Sequence, residues 1–424
     1  MGRGTMGRMA AWVLAMVVGL PVLAYAGLVA INWNDEAPSA EAERLLALLR
    51  DRPPLADFAN GYIHARDLAA APGGDPEYRE ARSPQVGELA SACSEAPACE
   101  EALDAQPGVA AEWLESEQWL IERYRRMLAT RGWREPLLED AHAPLTPYQH
   151  VMEGQKLHLV DMERHALAGD AATVHDLLER DLVFWRQVLA SSDLLITKTI
   201  ATVAVGRNLA FGNLALRKLA PELVDAAVPP SWRVPLTVAE RSYARPLGGE
   251  WHWVAGTLRQ AYVPGVPGAG TEGDAADRLM RPLFQQQATL NLVASRMVRV
   301  GELSELPYEE LDAALARQVE APGPSLRFPL YNPAGTLVFS AVSDVAYAGY
   351  VTRTSDLEGR RRATLLAATL RSAGIGAEGA ESAVKESSLR NPYNNAPFEW
   401  DPASGAVVFN GLEEGERGRH AVLL

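Results

Sequence analysis

Cysteine is almost absent from this chain, with two residues among 424. Two thiols are too few for a zinc site built from thiolates, and Cys93 and Cys99 lack the Cys-x-x-Cys spacing of a redox motif. In a chain that carries an export signal, such a pair predicts a disulfide, with two unpaired thiols as the alternative. Closing so short a loop stabilises a fold by only about 2 kcal/mol, so we expect this disulfide to constrain the chain only locally.

Basic charge is also in short supply. Lysine and arginine together number 40 against 54 acidic residues, which gives a net charge of −14. A protein that binds nucleic acid needs a clustered basic face to neutralise phosphates, and no such cluster occurs in the sequence. We therefore expect no nucleic-acid partner.

Complete catalytic motifs are missing as well. The sequence contains no Gly-x-Ser-x-Gly elbow, no P-loop and no dinucleotide fingerprint. Ser382 and Lys385 match Ser-x-x-Lys, but the Ser-Asp-Asn and Lys-Thr-Gly elements that accompany this motif are absent, so we interpret the match as chance. These absences favour a protein that is not an enzyme; we assign no catalytic residue and expect no cofactor.

The N-terminal segment contains the one long apolar run that we interpret as a membrane span. Residues 9–33 carry no charge and can span the roughly 30 Å hydrocarbon core as a helix. Arg3 and Arg8 precede the run, whereas Asp35 and Glu36 follow it. This asymmetry predicts a cytoplasmic tail at 1–8, a signal anchor in the bacterial inner membrane and a body in the periplasm.

A cleaved signal peptide is the alternative to this anchor. Ala24-Tyr25-Ala26 has the small-x-small form of a signal-peptidase site. The apolar run continues past Ala26, which favours an uncleaved anchor. The body is exported under either interpretation.

Apolar periodicity predicts a mainly α protein. We expect an N-terminal periplasmic helical region with the cysteine pair (34–142), a central helical bundle (143–320) and a C-terminal helix with a small β-hairpin (321–424). Residues 146–193 read as two antiparallel helices that break at Gly169, with Asp170 as the second N-cap.

Three further segments carry specific structural expectations. One helix should run through residues 111–133. Residues 194–216 are apolar almost all round, but Lys198 and Arg207 within them predict a buried helix of the body and not a second span. The aromatic stretch 250–254 falls in a less regular region.

His158, Asp161 and His165 lie on one side of a predicted helix and form the candidate metal or acid–base site. A third metal ligand would have to come from elsewhere in the chain and no His-Glu-x-x-His pattern occurs, so we favour a partly buried, hydrogen-bonded structural strip, with a solvated helix face as the alternative. Asp161 between the two histidines should then raise their pKa values, and the resulting stability should be lost as pH rises.

A candidate cleft combines Lys198 with the aromatic stretch that contains Trp251, His252 and Trp253. An ammonium group in an apolar helix must be paired or shift its pKa. We expect Lys198 to pair with an acid of the preceding helical hairpin, and a catalytic lysine is the alternative.

The C-terminal sequence resembles a known element. "RRATLLAATLR" followed by "NPYNNAPFEWDPASGAVVF" is similar to the helix and small hairpin, of the type Asp-Pro-Tyr-Thr-Gly-Lys-Pro-Phe, of many bacterial envelope proteins, and is reminiscent of pseudopilin C-termini. Asn394 and Asn395 stand where that pattern has Thr-Gly. The whole layout resembles an uncharacterised family of membrane-anchored proteobacterial periplasmic proteins, which implies an envelope location and no activity.

Together these observations predict a single-pass inner-membrane protein whose periplasmic body is an adaptor or assembly component of an envelope complex. Its partners would be the inner membrane, through residues 9–33, and another envelope protein. The alternative is a periplasmic metal-dependent or acid–base hydrolase that uses the strip of His158, Asp161 and His165.

Overall fold

The computed structural model describes residues 3–68, 82–139, 142–143, 146–262, 275–320, 329–340, 344–413 and 415–424. Within these ranges the protein is mainly helical, as predicted, with a small antiparallel sheet near the C-terminus.

Helices account for most of the described chain. In order they are α1 (Arg3–Ile31), α2 (Ala40–Arg50), α3 (Gly61–Asp67), α4 (Pro84–Ala92), α5 (Ala96–Ala105), α6 (Pro107–Ser116), α7 (Gln118–Leu128), α8 (Tyr148–Leu167), α9 (Ala171–Ser191), α10 (Leu195–Lys218), α11 (Pro221–Ala227), α12 (Pro230–Arg233), α13 (Val238–Arg241), α14 (Ala244–Tyr262), α15 (Ala275–Met280), α16 (Gln286–Glu305), α17 (Tyr308–Glu320), α18 (Pro333–Ser340), α19 (Asp344–Ser372) and α20 (Ala377–Glu386). Short 3₁₀ turns occur at Asp57–Ala59, Arg281–Leu283 and Gly415–Arg417.

The core formed by the described residues consists of two hydrophobic clusters. The first gathers buried side chains from α3 to α12, and the second gathers those of α2, α14, α16, α17 and the C-terminal sheet. Helix α19 belongs to both, since Leu357 and Leu365 join the first cluster while Leu366 and Ala367 join the second. The two clusters therefore extend across the predicted boundaries at 142/143 and 320/321.

The central helices lie where local signals in the sequence predicted them. Gly169 adopts a positive φ of 73° between α8 and α9, and the Asp170 side chain accepts a hydrogen bond of 3.1 Å from the Thr173 N–H. Helix α10 packs against α8, α9 and α19 and is largely buried. The predicted hairpin and the predicted buried helix are both confirmed.

Two sequence predictions about helices are wrong. The single helix expected through 111–133 is interrupted at Glu117, between α6 and α7. The buried Glu117 carboxylate accepts hydrogen bonds from Arg82 Nε at 2.5 Å and Nη2 at 2.8 Å, a partner outside the helix. The aromatic stretch 250–254 is regular, because it lies within α14, whose inner face packs on α2 and α16.

The C-terminal sheet has strand order β1 (Glu399–Asp401), β2 (Ala406–Asn410) and β3 (Arg419–Leu423), all antiparallel. The predicted hairpin is confirmed as β1–β2, where Gly405 has a positive φ of 64° in the turn. Strand β3 was not predicted. The sheet packs closely on α19, since a Cβ atom at Gly359 would lie 2.1 Å from the Phe409 ring.

The predicted anchor, residues 9–33, coincides largely with α1, which is helical to Ile31. Part of this prediction lies outside the described residues, because the side chains of 9–11, 14 and 15 are not described. Within the described part of the chain, no helix is long and apolar enough to cross a membrane.

Cys93 and Cys99 form the predicted disulfide, and both are fully buried in the first cluster.

We expect the double variant Cys93→Ala/Cys99→Ala to have a free energy of unfolding lower by about 2 kcal/mol, because the unfolded chain loses one loop constraint. Urea unfolding of the full chain in detergent would measure this change. Native, unreduced protein should also not react with iodoacetamide, and labelling under these conditions would contradict the disulfide.

Candidate functional site

His158 lies inside the first hydrophobic cluster. Its side chain has no exposed surface, Nε2 lies 3.1 Å from the Leu177 carbonyl oxygen, and Nδ1 lies 3.3 Å from Arg125 Nε. Since a guanidinium can only donate, Nδ1 accepts and the proton resides on Nε2. Burial lowers the pKa of His158, and the charge of Asp181 opposes this only in part. The ring is a neutral tautomer held at both nitrogens.

Asp161 does not bridge the two histidines, which corrects the sequence prediction. Its oxygens accept from Arg125 Nη2 at 2.6 Å and Arg164 Nη2 at 2.7 Å. Burial alone would raise the pKa of Asp161, but these two guanidinium groups lower it. His165 lies apart, with Nδ1 3.3 Å from Asp170 Oδ2. Arginines therefore satisfy the carboxylate that the histidines were expected to share.

These contacts leave no room for a metal ion at His158. A ligating imidazole needs a free nitrogen lone pair, and the Nδ1 lone pair already accepts from Arg125, whose charge would repel a cation. Among the described side chains, no three of His, Cys, Asp or Glu are grouped so that they could hold a metal. The strip is best interpreted as structural.

The lowered pKa of His158 predicts a pH dependence opposite to the one expected from sequence. A histidine whose folded pKa is depressed stabilises the fold fully above its unfolded pKa near 6.5, and this contribution is lost as pH falls. We expect the difference in unfolding free energy between wild type and His158→Gln to shrink as pH falls from about 7.5 to 5.5. Urea titrations at several pH values would measure it. A difference that grows towards low pH, or one that a chelator removes, would contradict the structural assignment.

Lys198 is buried completely, and its predicted ion pair with an acid of the preceding hairpin is wrong. Nζ instead donates to the carbonyl oxygens of Leu189, at 2.6 Å, and Glu240, at 2.7 Å. Leu189 lies in the last turn of α9, where the carbonyl ends of the helix carry partial negative charge. Burial lowers the pKa of Lys198 to about 7.

The aromatic residues of the candidate cleft lie on α14 and do not share a surface cavity with Lys198. Trp251 donates from Nε1 to the Leu290 carbonyl oxygen at 3.1 Å and lines a surface hollow of about 790 Å³. His252 Nε2 lies 3.5 Å from Glu139 Oε2, and Trp253 is half-buried on the same helix, α14. Because Lys198 has no exposed surface, it does not line this hollow.

Sequence reasoning missed a polar network at the centre of the first cluster. The fully buried Asp181 carboxylate accepts from Tyr124 Oη at 2.5 Å, Asn208 Nδ2 at 2.9 Å and Gln155 Nε2 at 3.1 Å. The signal in the sequence was an acid placed among the apolar positions of α9. Its partners come from α7, α8 and α10, so the network ties four helices together.

Glu163 is a second buried acid, with a different environment. Neither carboxylate oxygen has a hydrogen-bond partner among the described residues. Burial raises the pKa of Glu163 to about 7, and the charge of Lys218 opposes this rise. Ionised Glu163 therefore destabilises the fold.

We expect Glu163→Gln to stabilise the protein at pH 8 by about 2 to 3 kcal/mol, because the variant buries no charge. A raised folded pKa makes the wild type lose stability as pH rises from its unfolded value near 4.5 through 7, so the advantage of the variant should vanish towards pH 4.5. Urea unfolding at pH 4.5 and pH 8 would measure this. Glu101→Gln, at an exposed position of α5, is the matched control; an equal effect in both variants would refute the assignment.

Four arginine side chains line one cavity of about 310 Å³, here called the arginine pocket: Arg52, Arg131, Arg134 and Arg245. They come from the segment after α2, the segment after α7 and the first turn of α14. Other walls of the pocket are apolar, formed by Pro53, Pro54, Leu55, Trp133 and Ala190. The pocket thus combines clustered positive charge with an apolar surface.

The positive charge of this pocket is only partly compensated. The buried Asp193 carboxylate pairs with Arg52 and lies 3.4 Å from Arg245 Nη1. The Arg131 guanidinium has no hydrogen-bond or ion-pair partner among the described residues. Burial lowers the pKa of Arg52; Asp193 opposes this, while Arg245 and Arg134 lower the pKa further by repulsion. The cluster therefore has more positive charge than its carboxylate neutralises.

Glu135, adjacent in sequence to Arg134, is committed to a structural role. Its buried Oε1 accepts from the N–H groups of Asp193 and Leu194, both at 2.8 Å, where α10 begins. Burial raises the pKa of Glu135 to about 7 despite these hydrogen bonds. Glu135 thus fixes the segment 131–135 to the start of α10 and positions the arginines before it.

This chain has no match among protein-family models, curated proteins or solved structures. Its function must therefore be inferred from its own residues.

Proposed function

We propose that the protein is a single-pass inner-membrane protein with a helical body in the periplasm, acting as an adaptor or assembly component of an envelope complex. The observation that carries the proposal is the way in which the end of α1 is fixed to the body. A membrane helix that is joined rigidly to its domain holds that domain in a constant orientation on the bilayer.

Asn32 makes this junction. Its side chain is 3% exposed and donates from Nδ2 to the Leu330 carbonyl oxygen at 2.8 Å, while its Oδ1 accepts from the Asn332 N–H at 2.6 Å. Gln285 Nε2 donates to the Asn32 carbonyl oxygen at 2.5 Å. Three parts of the chain therefore meet at one buried amide.

A second contact lies immediately beyond Asn32. The Asp35 carboxylate accepts from the N–H groups of Gln287, at 2.6 Å, and Ala288, at 2.9 Å. These are free N–H groups in the first turn of α16, where a negative charge is favourable. Asp35 therefore fixes the end of α1 to the body, in addition to its part in the charge asymmetry around the apolar run.

Exposed apolar side chains around the junction support the proposal that this surface contacts lipid. Trp33 is 78% exposed, Leu330 61% and Leu279 54%, and Tyr25 Oη on α1 donates to the Leu279 carbonyl oxygen at 3.0 Å. Large apolar side chains clustered on a surface indicate an interaction site, and Trp and Tyr are favoured at the edge of a bilayer. We infer that this end of the body rests on the membrane.

An adaptor role fits the other polar groups of the body. His158, Lys198 and Asp181 all have buried partners on other parts of the body, and Asp161 pairs with Arg125 of α7. These residues therefore contribute to rigidity, and a rigid body on a fixed anchor is suited to present a surface to another protein.

A topology experiment tests the anchor. A reporter fused after Leu424 should be active only in the periplasm, and the full-length chain should remain in membranes after alkaline carbonate extraction. The double variant Val17→Arg/Leu20→Arg should be released, because each central arginine costs roughly 3 kcal/mol in a membrane helix. A fusion active in the cytoplasm would contradict export, and a chain shortened after Ala26 would contradict the anchor.

Photocrosslinking in intact cells tests the adaptor role. A photoreactive residue in place of Val183, a half-exposed apolar side chain that lines a surface hollow, should give a discrete adduct at native expression. The same residue in place of Glu222, an exposed charged side chain, is the control. A body that gives no adduct from either position would count against the proposal.

A further inference from the structure

The arginine pocket contains more positive charge than the neighbouring carboxylates neutralise. Four guanidinium groups line it, and behind them lie the Asp193 carboxylate, which pairs with Arg52, and the Glu135 carboxyl, whose pKa burial raises to about 7. Arg52 and Arg245 share the Asp193 carboxylate, whereas Arg131 and Arg134 have no ion-pair partner among the described residues, and like charges held close together repel one another unless an anion lies between them. The charge excess therefore points to a bound anion carrying more than one negative charge.

Backbone carbonyl oxygens hold two of the four guanidinium groups in place for such a ligand. Arg52 Nη2 donates to the Ser191 carbonyl oxygen at 3.1 Å, and Arg245 Nη1 donates to the Leu48 carbonyl oxygen at 2.7 Å. Among the described contacts Arg245 uses only this nitrogen, which leaves Nε and Nη2 to donate. Arg131 is exposed at the pocket and can close over a ligand with its planar pair of donors.

We propose that the arginine pocket binds a phosphate group carried by a small organic molecule. A phosphate monoester offers two negative charges and several acceptor oxygens, which match the donors of Arg131 and Arg245 better than a single carboxylate does. The cavity of about 310 Å³ reaches the lower size range of ligand pockets, so it has room for an organic group beside the phosphate. Trp133 and Leu55 would cover that group.

This inference is independent of the proposed adaptor role, because it concerns a ligand of the body and not its anchor or partner. Calorimetric titration of the purified full chain in phosphate-free detergent buffer tests it, with phenyl phosphate, inorganic phosphate and acetate as probes. Phenyl phosphate should bind. Inorganic phosphate should bind more weakly because it leaves the apolar wall uncovered, and acetate should not bind at the same concentrations.

Arg131→Gln is the decisive variant, because its guanidinium has no described structural contact and the variant should fold normally. We expect it to weaken phenyl phosphate binding about tenfold or more, as for loss of one charge-assisted hydrogen bond. Arg126→Gln, at an exposed position of α7, is the matched control and should bind like wild type. The proposal is overturned if neither phosphate binds wild type, if Arg131→Gln binds normally, if both variants lose affinity equally, or if phenyl and inorganic phosphate bind equally well.

Discussion

The buried ion pair of Arg186 and Glu240 is the contact on which the arrangement of the two hydrophobic clusters depends. Nε and Nη2 of Arg186 donate to the two Glu240 oxygens at 2.6 and 2.9 Å. Charges taken out of water are costly unless their donors and acceptors are satisfied. Here the same guanidinium also donates to the carbonyl oxygens of Ser231, Val234 and Pro235, so the pair fixes the whole segment 231–240 onto α9.

That segment joins the clusters because each part of it contacts a different one. Trp232 enters the first cluster, where its Nε1 donates to Asn208 Oδ1 at 3.1 Å and its ring lies against Gly212, leaving no space for a Cβ atom. Arg241 Nη1 reaches the Leu306 carbonyl oxygen of the second cluster at 2.9 Å. The next residues begin α14, which places Arg245 at the arginine pocket. The pocket is therefore a consequence of how the clusters are joined.

Sequence predicted the elements whose signals are local. The break at Gly169 and Asp170 and the turn before Gly405 were found because each depends on backbone preferences within a few residues. The partners of buried charges were not found, since they come from distant parts of the chain. Asp161 pairs with Arg125, and Lys198 binds the carbonyl oxygen of Glu240, contacts that no periodicity within one helix could indicate.

The same limit explains why the arginine pocket escaped sequence analysis. Arg52, Arg131, Arg134 and Arg245 are dispersed over almost 200 positions of a chain with net charge −14, so the four do not form a basic run in the sequence. A negative net charge and the lack of clustered basic residues argue against an extended phosphate-binding face, because such a face needs many neighbouring cations. The same two features do not exclude a small anion pocket, since folding can bring four distant guanidinium groups around one cavity. An acidic protein can thus contain a site for an anion, provided that its core fixes the arginines against their mutual repulsion.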